Sequence, residues 1–173
     1  MADLHGNDTN TYQSSDTIKV LIADDDESMR SLLRATLSQL GYQVIEASNG
    51  EEAWEIMQQP DAPMLLILDW RMPKLNGLVL CERIRKELDF YPYIIFLTQV
   101  SGAENILKGL EAGADEFLLK PVNFAELRIR VFAGERIIQY LRIIDEQKKQ
   151  LRNYVFYSQV LEQLIKMVGE NKG

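Results

Sequence analysis

One cysteine and one histidine stand in 173 residues, and that scarcity removes whole classes of chemistry. Cys81 alone can form no internal disulfide, and no zinc site of several thiolates or imidazoles can be assembled. The same scarcity fits a reducing cytosol. Cys81 falls on an apolar helix stripe and reads as a core residue. His5 lies in a polar N-terminal stretch, so a mechanism needing a histidine base from this chain has no support. No apolar run approaches the roughly 18 residues of a membrane span, and the N-terminus lacks the basic and apolar regions of a signal peptide. Positive charge is short as well: 19 Lys and Arg against 26 Asp and Glu leave a net charge of -7. That balance argues against direct contact with nucleic acid or an anionic membrane. The expected location is the cytoplasm.

The chain is long enough for one sizeable core plus an appendage. Residues Met1 to Asp16 are polar and read as a flexible tail. From there, short apolar runs alternate with helical patterns. Ile18 to Ala23 stops at Asp24, Asp25 and Asp26, and Met29, Leu32, Leu33, Thr36, Leu37 and Leu40 then share one helix face, closed by Gly41. Tyr42 to Ala47, Asn49-Gly50 and a helix ending before Pro60 repeat the unit. Met64 to Leu68 runs into Asp69, and Gly77 to Leu88 is the next helix, with Leu78, Leu80, Cys81 and Ile84 inward. Tyr93 to Thr98, a helix carrying Ile106, Leu107, Leu110 and Ala114, and Glu116 to Lys120 before Pro121 complete the series. Five strands alternating with helices predict an α/β fold with a doubly wound parallel sheet.

The last segment differs. From Phe124 to about Val168 a helical pattern is interrupted only by Gly134, well beyond the usual 11 or 12 residues or so. Ile137, Leu141, Ile144, Leu151 and Val155 alternate steps of four and three once Lys148 is counted in the seam, a coiled-coil pattern. Leu161, Leu164 and Val168 are out of phase with it, which predicts a stutter, bend or break near Tyr157 to Val160. The competing arrangement is one long helix folded back on its own domain. The expected organisation is a tail at 1–16, a globular domain at 17–133, and a helical extension at 134–173 that pairs two copies.

A parallel sheet brings the strand ends to one edge, so Asp24 and Asp25, Asp69, Thr98 and Lys120 converge where the winding reverses. Two negative charges about 4 Å apart repel by roughly 4 kcal/mol at an effective dielectric of 20. Three acids therefore call for a cation, and oxygen-only ligation suits Mg²⁺ or Mn²⁺. A divalent ion beside an Asp on a rigid strand end points to phosphoryl transfer with the carboxylate as nucleophile. Lys120 and Thr98 would hold phosphoryl oxygens, and Pro73 and Gly77 would shape the loop beside Asp69.

From Ile18 to about Val131 the chain resembles the receiver domains of two-component response regulators. The resemblance rests on LIADDDESMR, on Asp69 in LDWRMPKLNG, on Thr98 in FLTQ, and on Lys120-Pro121 after GADEFLL. It implies a flavodoxin-like receiver fold with strand order 2-1-3-4-5 and phosphorylation of Asp69 by a sensor histidine kinase or phosphotransfer protein. It also implies Mg²⁺ held by Asp24, Asp25, Asp69 and the main-chain carbonyl of Arg71, and a cis peptide before Pro121. A switch is implied too, in which Thr98 moves toward the phosphate and Phe117 turns inward, altering the face of the fourth helix, fifth strand and fifth helix.

Gln99 follows the threonine where the family usually has a small residue. With Arg71 and Val100 it is expected to set the lifetime of the aspartyl-phosphate. The C-terminal helix resembles the signalling helices that join receivers to output domains such as diguanylate cyclases. The expected module is regulatory rather than enzymatic and homodimeric through that helix and the receiver face. Two other readings compete. Asp24-Asp25-Asp26-Glu27-Ser28 fits the nucleophile motif of haloacid-dehalogenase-type phosphatases, with Asp24 as nucleophile and Asp26 as acid/base, and a receiver-like scaffold needs no phosphate at all.

Overall fold

A computed structural model describes residues 17–99 and 102–170. The tail at 1–16, with His5, and Val100 lie outside the described residues. The elements are β1 (Lys19–Ala23), α1 (Glu27–Gln39), β2 (Gln43–Ala47), α2 (Gly50–Met57), β3 (Leu65–Asp69), α3 (Gly77–Glu87), β4 (Tyr93–Thr98), α4 (Ala103–Glu111), β5 (Glu116–Leu119) and α5 (Phe124–Glu170). The five strands form one sheet in the order β2-β1-β3-β4-β5, and every pairing is parallel.

The unbroken apolar runs follow from burial on both faces. Every residue of β3 and of β4 is buried, which a strand covered by helices on either side requires. Alternate residues serve opposite layers: Leu66, Leu68, Ile94 and Phe96 pack with α2 and α3 residues such as Trp54 and Leu80. Leu65, Ile67, Ile95 and Leu97 pack with Leu33 and Leu37 of α1 and Leu127, Val131 and Ile138 of α5.

Four helices start on a side chain that accepts from the first turn's N–H groups: Asp26 for α1, Asn49 for α2, Asn76 for α3 and Asn123 for α5. The fourth, α4, starts at Gly102, which has φ of 112° and no side chain to offer. Ile106, Leu107 and Leu110 of α4 are exposed. The helix meets the rest of the domain through small residues instead, Gly109 and, just past its end, Ala112 and Ala114.

Cys81 is fully buried and its thiol donates to the Ala112 carbonyl at 3.3 Å. Burial pushes the thiol from about 9 up to about 12. The native chain thus keeps a proton that the unfolded chain loses, so stability declines as pH rises from about 9 toward about 12. Denaturant unfolding at pH 8 and pH 10.5 should show that decline in the parent and a shallower one in Cys81→Ala.

The single long helix α5 has 47 residues. Its one interior glycine before the last turns, Gly134, marks its closest approach to the sheet: a Cβ there would lie 2.5 Å from the Tyr93 ring and 2.8 Å from Leu65. These are the first residues of β4 and β3, so α5 leaves the domain at the edge opposite the strand ends. Among the residues whose burial is described, Ile138 is the last buried one of the helix, Leu141 is half-buried, and residues 142–159 are exposed. The extension does not fold back on the domain. Nor is it broken near Tyr157 to Val160, where the helix is continuous; the change of phase moves the apolar stripe to another face without ending the helix. Among the described residues no helix is long and apolar enough to cross a membrane.

Candidate functional site

The C-terminal edge of the sheet gathers the residues the sequence singled out. The register pairs Ala23 with Leu68 and Asp69 with Leu97, so Asp24, Asp69 and Thr98 end three adjacent strands at nearly one level. The carboxylates of Asp24, Asp25 and Asp69 offer oxygens within 4.8 Å of one another. Asp24, Asp69 and Thr98 are buried, whereas Asp25 stands exposed at the rim. Lys120 reaches back from the end of β5, its Nζ donating to Asp24 Oδ2 at 2.8 Å and Asp69 Oδ2 at 3.0 Å. The Lys120–Pro121 peptide is cis, and the Lys120 N–H donates to the Thr98 carbonyl at 2.9 Å. Lysine and threonine are thus held on neighbouring strands by backbone, before any ligand arrives.

Burial raises the Asp69 carboxyl above the usual carboxylate range, because desolvation outweighs the hydrogen bond and charge of Lys120. For Lys120, burial pulls downward, but its hydrogen bonds to Asp24 and Asp69 win and the ammonium is held above its ordinary value. One lysine does not balance three acids. The remaining negative charge, with oxygens clustered and no imidazole or thiolate among them, fits a hard divalent cation.

Asp24 is fixed at every atom that counts: Oδ1 accepts from the Asp26 N–H at 2.9 Å, and its carbonyl accepts from Arg30 at 2.7 Å. Asp26 is committed elsewhere, accepting from Ser28 and Met29 N–H groups as the α1 cap. A phosphatase built on Asp24 would need Asp26 as its acid/base, and that carboxylate is occupied at the helix. The Arg71 N–H approaches Asp69 Oδ1 at 3.4 Å. Arg71 and Gln99 are both exposed.

Phe117 is half-buried in a ring cluster that pairwise reading of the sequence did not reveal. It lies 5.6 Å from Phe96 and 6.4 Å from Trp70, and Trp70 lies 5.3 Å from Phe96. Trp70 directly follows Asp69, so the residue next to the candidate acceptor touches the proposed switch ring. The signal was present in the sequence as a bulky aromatic at a strand end, but only the register shows which ring it meets.

Gly77 opens α3 with its N–H donating to the Trp70 carbonyl at 3.0 Å. A Cβ at this position would stand 2.2 Å from the Asp69 carbonyl oxygen. Gly77→Ala must therefore push the acceptor loop, at a cost of about 1–3 kcal/mol. The expected result is a lower melting temperature together with slower phosphoryl uptake, measured on the same preparation.

The response regulator receiver domain profile matches residues 20–132. The chain belongs to the response regulator receiver family. This receiver is 43% identical over 113 residues to a probable transcriptional regulator, ycf27, of Porphyridium aerugineum, a match covering 65% of the chain and 46% of that protein. It is 39% identical over 106 residues to the chemotaxis protein CheY1 of Helicobacter pylori, covering 60% of the chain and 86% of that protein. The structure of the Francisella response regulator 1452 receiver domain superposes with a TM-score of 0.67 at 30% identity, over 70% of this chain and 99% of that one. The matched part spans less than half the length of the ycf27 relative. The receiver is a regulatory module of a two-component system, and its fold is the flavodoxin-like arrangement of its relatives.

Proposed function

We propose that Asp69 accepts a phosphoryl group from the phosphohistidine of a sensor histidine kinase or phosphotransfer protein. A carboxylate oxygen of Asp69 forms the new O–P bond as the histidine N–P bond breaks, and the histidine nitrogen leaves with the electron pair. The observation that carries this reading is the cluster itself: three carboxylates within 4.8 Å, backed by a buried lysine bridging two of them. Asp24, Asp25, Asp69 and the Arg71 carbonyl are the groups that would hold Mg²⁺ or Mn²⁺, which screens the phosphoryl charge when bound. Lys120 exchanges a carboxylate oxygen for a phosphoryl oxygen, and the Thr98 hydroxyl donates to another.

Thr98 and Phe117 form the switch, and the face of α4, β5 and α5 reports it. That face already carries exposed apolar residues, among them Leu107, Leu110 and Leu119, which suits a surface that changes partners. Arg71, Gln99 and Val100 set the lifetime of the acyl phosphate. Two copies pair through this face and through α5, whose Ile144, Leu151 and Val155 are exposed along one stripe, and the paired helices pass the change to an output domain. The units are the receiver at 17–133 and the extension at 134–173, with the protein acting in the cytoplasm.

The test is incubation with Mg²⁺ and acetyl phosphate, followed by mapping of hydroxylamine-sensitive label. Label on Asp69 supports the reading. Label on Asp24 would point to the phosphatase chemistry, and no label would leave a scaffold.

A further inference from the structure

The two ends of α4 are held differently. From Ala103 to Lys108 every residue is exposed except Asn105, which is half-buried, and Gly102 brings no side-chain cap. The other end is fastened. Gly113, at φ of 98°, closes the helix, and the Ala114 N–H donates to the Gly109 carbonyl at 3.0 Å, a left-handed glycine stop. Two successive turns of α3 grip that stop. The Cys81 thiol donates to the Ala112 carbonyl at 3.3 Å, and Arg85 Nε donates to the Gly113 carbonyl at 2.9 Å.

Arg85 also anchors the turn to the rest of the domain. Its Nη2 donates to Asp115 Oδ2 at 2.9 Å and its Nη1 to the Pro92 carbonyl at 2.7 Å. Asp115 is itself tied to β4, accepting from the Ile94 N–H at 2.8 Å while its own N–H donates to the Ile94 carbonyl at 2.9 Å. Tyr91 donates to Asp115 Oδ1 at 2.7 Å, and its ring lies 3.9 Å beneath the Arg85 guanidinium. A Cβ at Gly113 would stand 2.7 Å from Arg85 Cγ, so the glycine leaves the room in which the arginine stem lies. One planar donor fork thus joins α3, the α3–β4 loop and the α4–β5 turn, a geometry that a lysine ammonium does not supply.

Between the two ends lies the ring pair. A Cβ at Gly109 would stand 2.2 Å from Phe117 Cζ and 2.9 Å from Trp70 Cζ3. Both rings therefore bear on the helix backbone close to its fastened end, and Gly109 is the one buried residue of α4.

We propose that α4 is a lever: Arg85 holds the fulcrum, Phe117 and Trp70 push at Gly109, and the exposed first turns, with Ile106 and Leu107, are the arm that moves. This rests on the switch reading above, in which Phe117 responds to the phosphoryl group, and adds Arg85 as the positioning residue that decides which end of the helix travels. At about 1.5 Å per residue, Gly109 lies about 4.5 Å and Ala103 about 13.5 Å from Ala112. A displacement at Gly109 is therefore multiplied about threefold at Ala103, so a ring shift of about 0.7 Å becomes a movement of roughly 2 Å at the start of the helix.

The test is double electron–electron resonance on the full chain, with nitroxides on cysteines introduced at exposed positions; Cys81 is fully buried and stays unlabelled. A label on α4, at Glu104→Cys or Glu111→Cys, is paired with one at Gln58→Cys on the α2 side of the sheet or at Ser38→Cys on the α1 side, so that a tilt in either direction registers. Adding Mg²⁺ and beryllofluoride moves the Glu104 label by about 2 Å against at least one reference and the Glu111 label by less than about 1 Å. In Arg85→Lys, with folding checked by circular dichroism, the Glu111 label moves as far as the Glu104 label. Gly109→Ala, whose added Cβ presses on the rings, moves the Glu104 label alone and without beryllofluoride; if Arg85→Lys does not fold, the parent and Gly109→Ala decide. Equal movement at both labels in the parent, a Glu111 label that stays still in Arg85→Lys, or a Glu104 label that stays still in Gly109→Ala overturns the lever and leaves the switch standing. If neither label moves in the parent although Asp69 takes up label from acetyl phosphate, the lever and the switch reading fall together.

Discussion

Asp69→Asn reduces phosphoryl incorporation from acetyl phosphate by at least about a thousandfold, the scale on which loss of a nucleophile is felt. The amide keeps nearly the shape of the carboxylate, and its oxygen still accepts from the Arg71 N–H that Asp69 Oδ1 meets at 3.4 Å. Lys120 retains Asp24 as a partner at 2.8 Å, so the fold has no reason to move. What is lost is a charged oxygen able to attack phosphorus. Radiolabel uptake checks the result, with the far-ultraviolet dichroism spectrum as the measure of folding. A variant that still takes up hydroxylamine-sensitive label would place the acceptor on another carboxylate, and Asp24 is the neighbour to test.

Lys120→Met produces the larger change in stability. Lys120, Asp24 and Asp69 have side chains only 11%, 1% and 11% exposed, so removing the ammonium leaves two buried acids facing each other. Stripping one partner from a buried charge pair costs about 3–5 kcal/mol, which for a domain of this size lowers the melting temperature by roughly 10 °C or more in metal-free buffer. The same substitution strengthens Mg²⁺ binding, because the lysine occupies the carboxylate oxygens a cation seeks. Adding Mg²⁺ therefore raises the melting temperature of Lys120→Met more than that of the parent. Scanning calorimetry across a Mg²⁺ series measures both effects. Phosphoryl uptake by the variant falls as well, for want of the cation that meets the transferring group.

The strands were legible because each is a short apolar run, and their starts and ends shift by a single residue at most between pattern and structure, as at Ile18, Tyr42, Met64 and Lys120. The acids were legible because each run stops at one. Helix faces were harder. The spacing of Ile106, Leu107 and Leu110 shows that they share a side of α4, but the solvent side is settled by Gly109, whose missing side chain lets Phe117 and Trp70 close in. Long-range polar ties left no local trace either: Tyr42 donating to Glu135 at 2.6 Å joins residues 93 apart. Of the stutter, bend or break that the out-of-phase apolar set after Val155 predicted, the continuous helix excludes the break, because backbone hydrogen bonding tolerates a change of apolar face.

The bare start of α4 has a thermodynamic consequence. A side-chain cap contributes about 0.5–2 kcal/mol to the first turn it closes, and four of the five helices have one. Residues Ala103 to Ile106 begin from Gly102 without it, just beyond Thr98 and against no large core side chain of their own. Their amide protons should exchange with solvent through smaller openings than those that expose the first turns of α1, α2 or α3. Within residues 17–133 the helix starts thus differ in their resistance to local unfolding, and the one without a side-chain cap follows the strand that ends at Thr98. Proton exchange that slows there on addition of beryllofluoride, and hardly elsewhere, is the record such a gradient leaves.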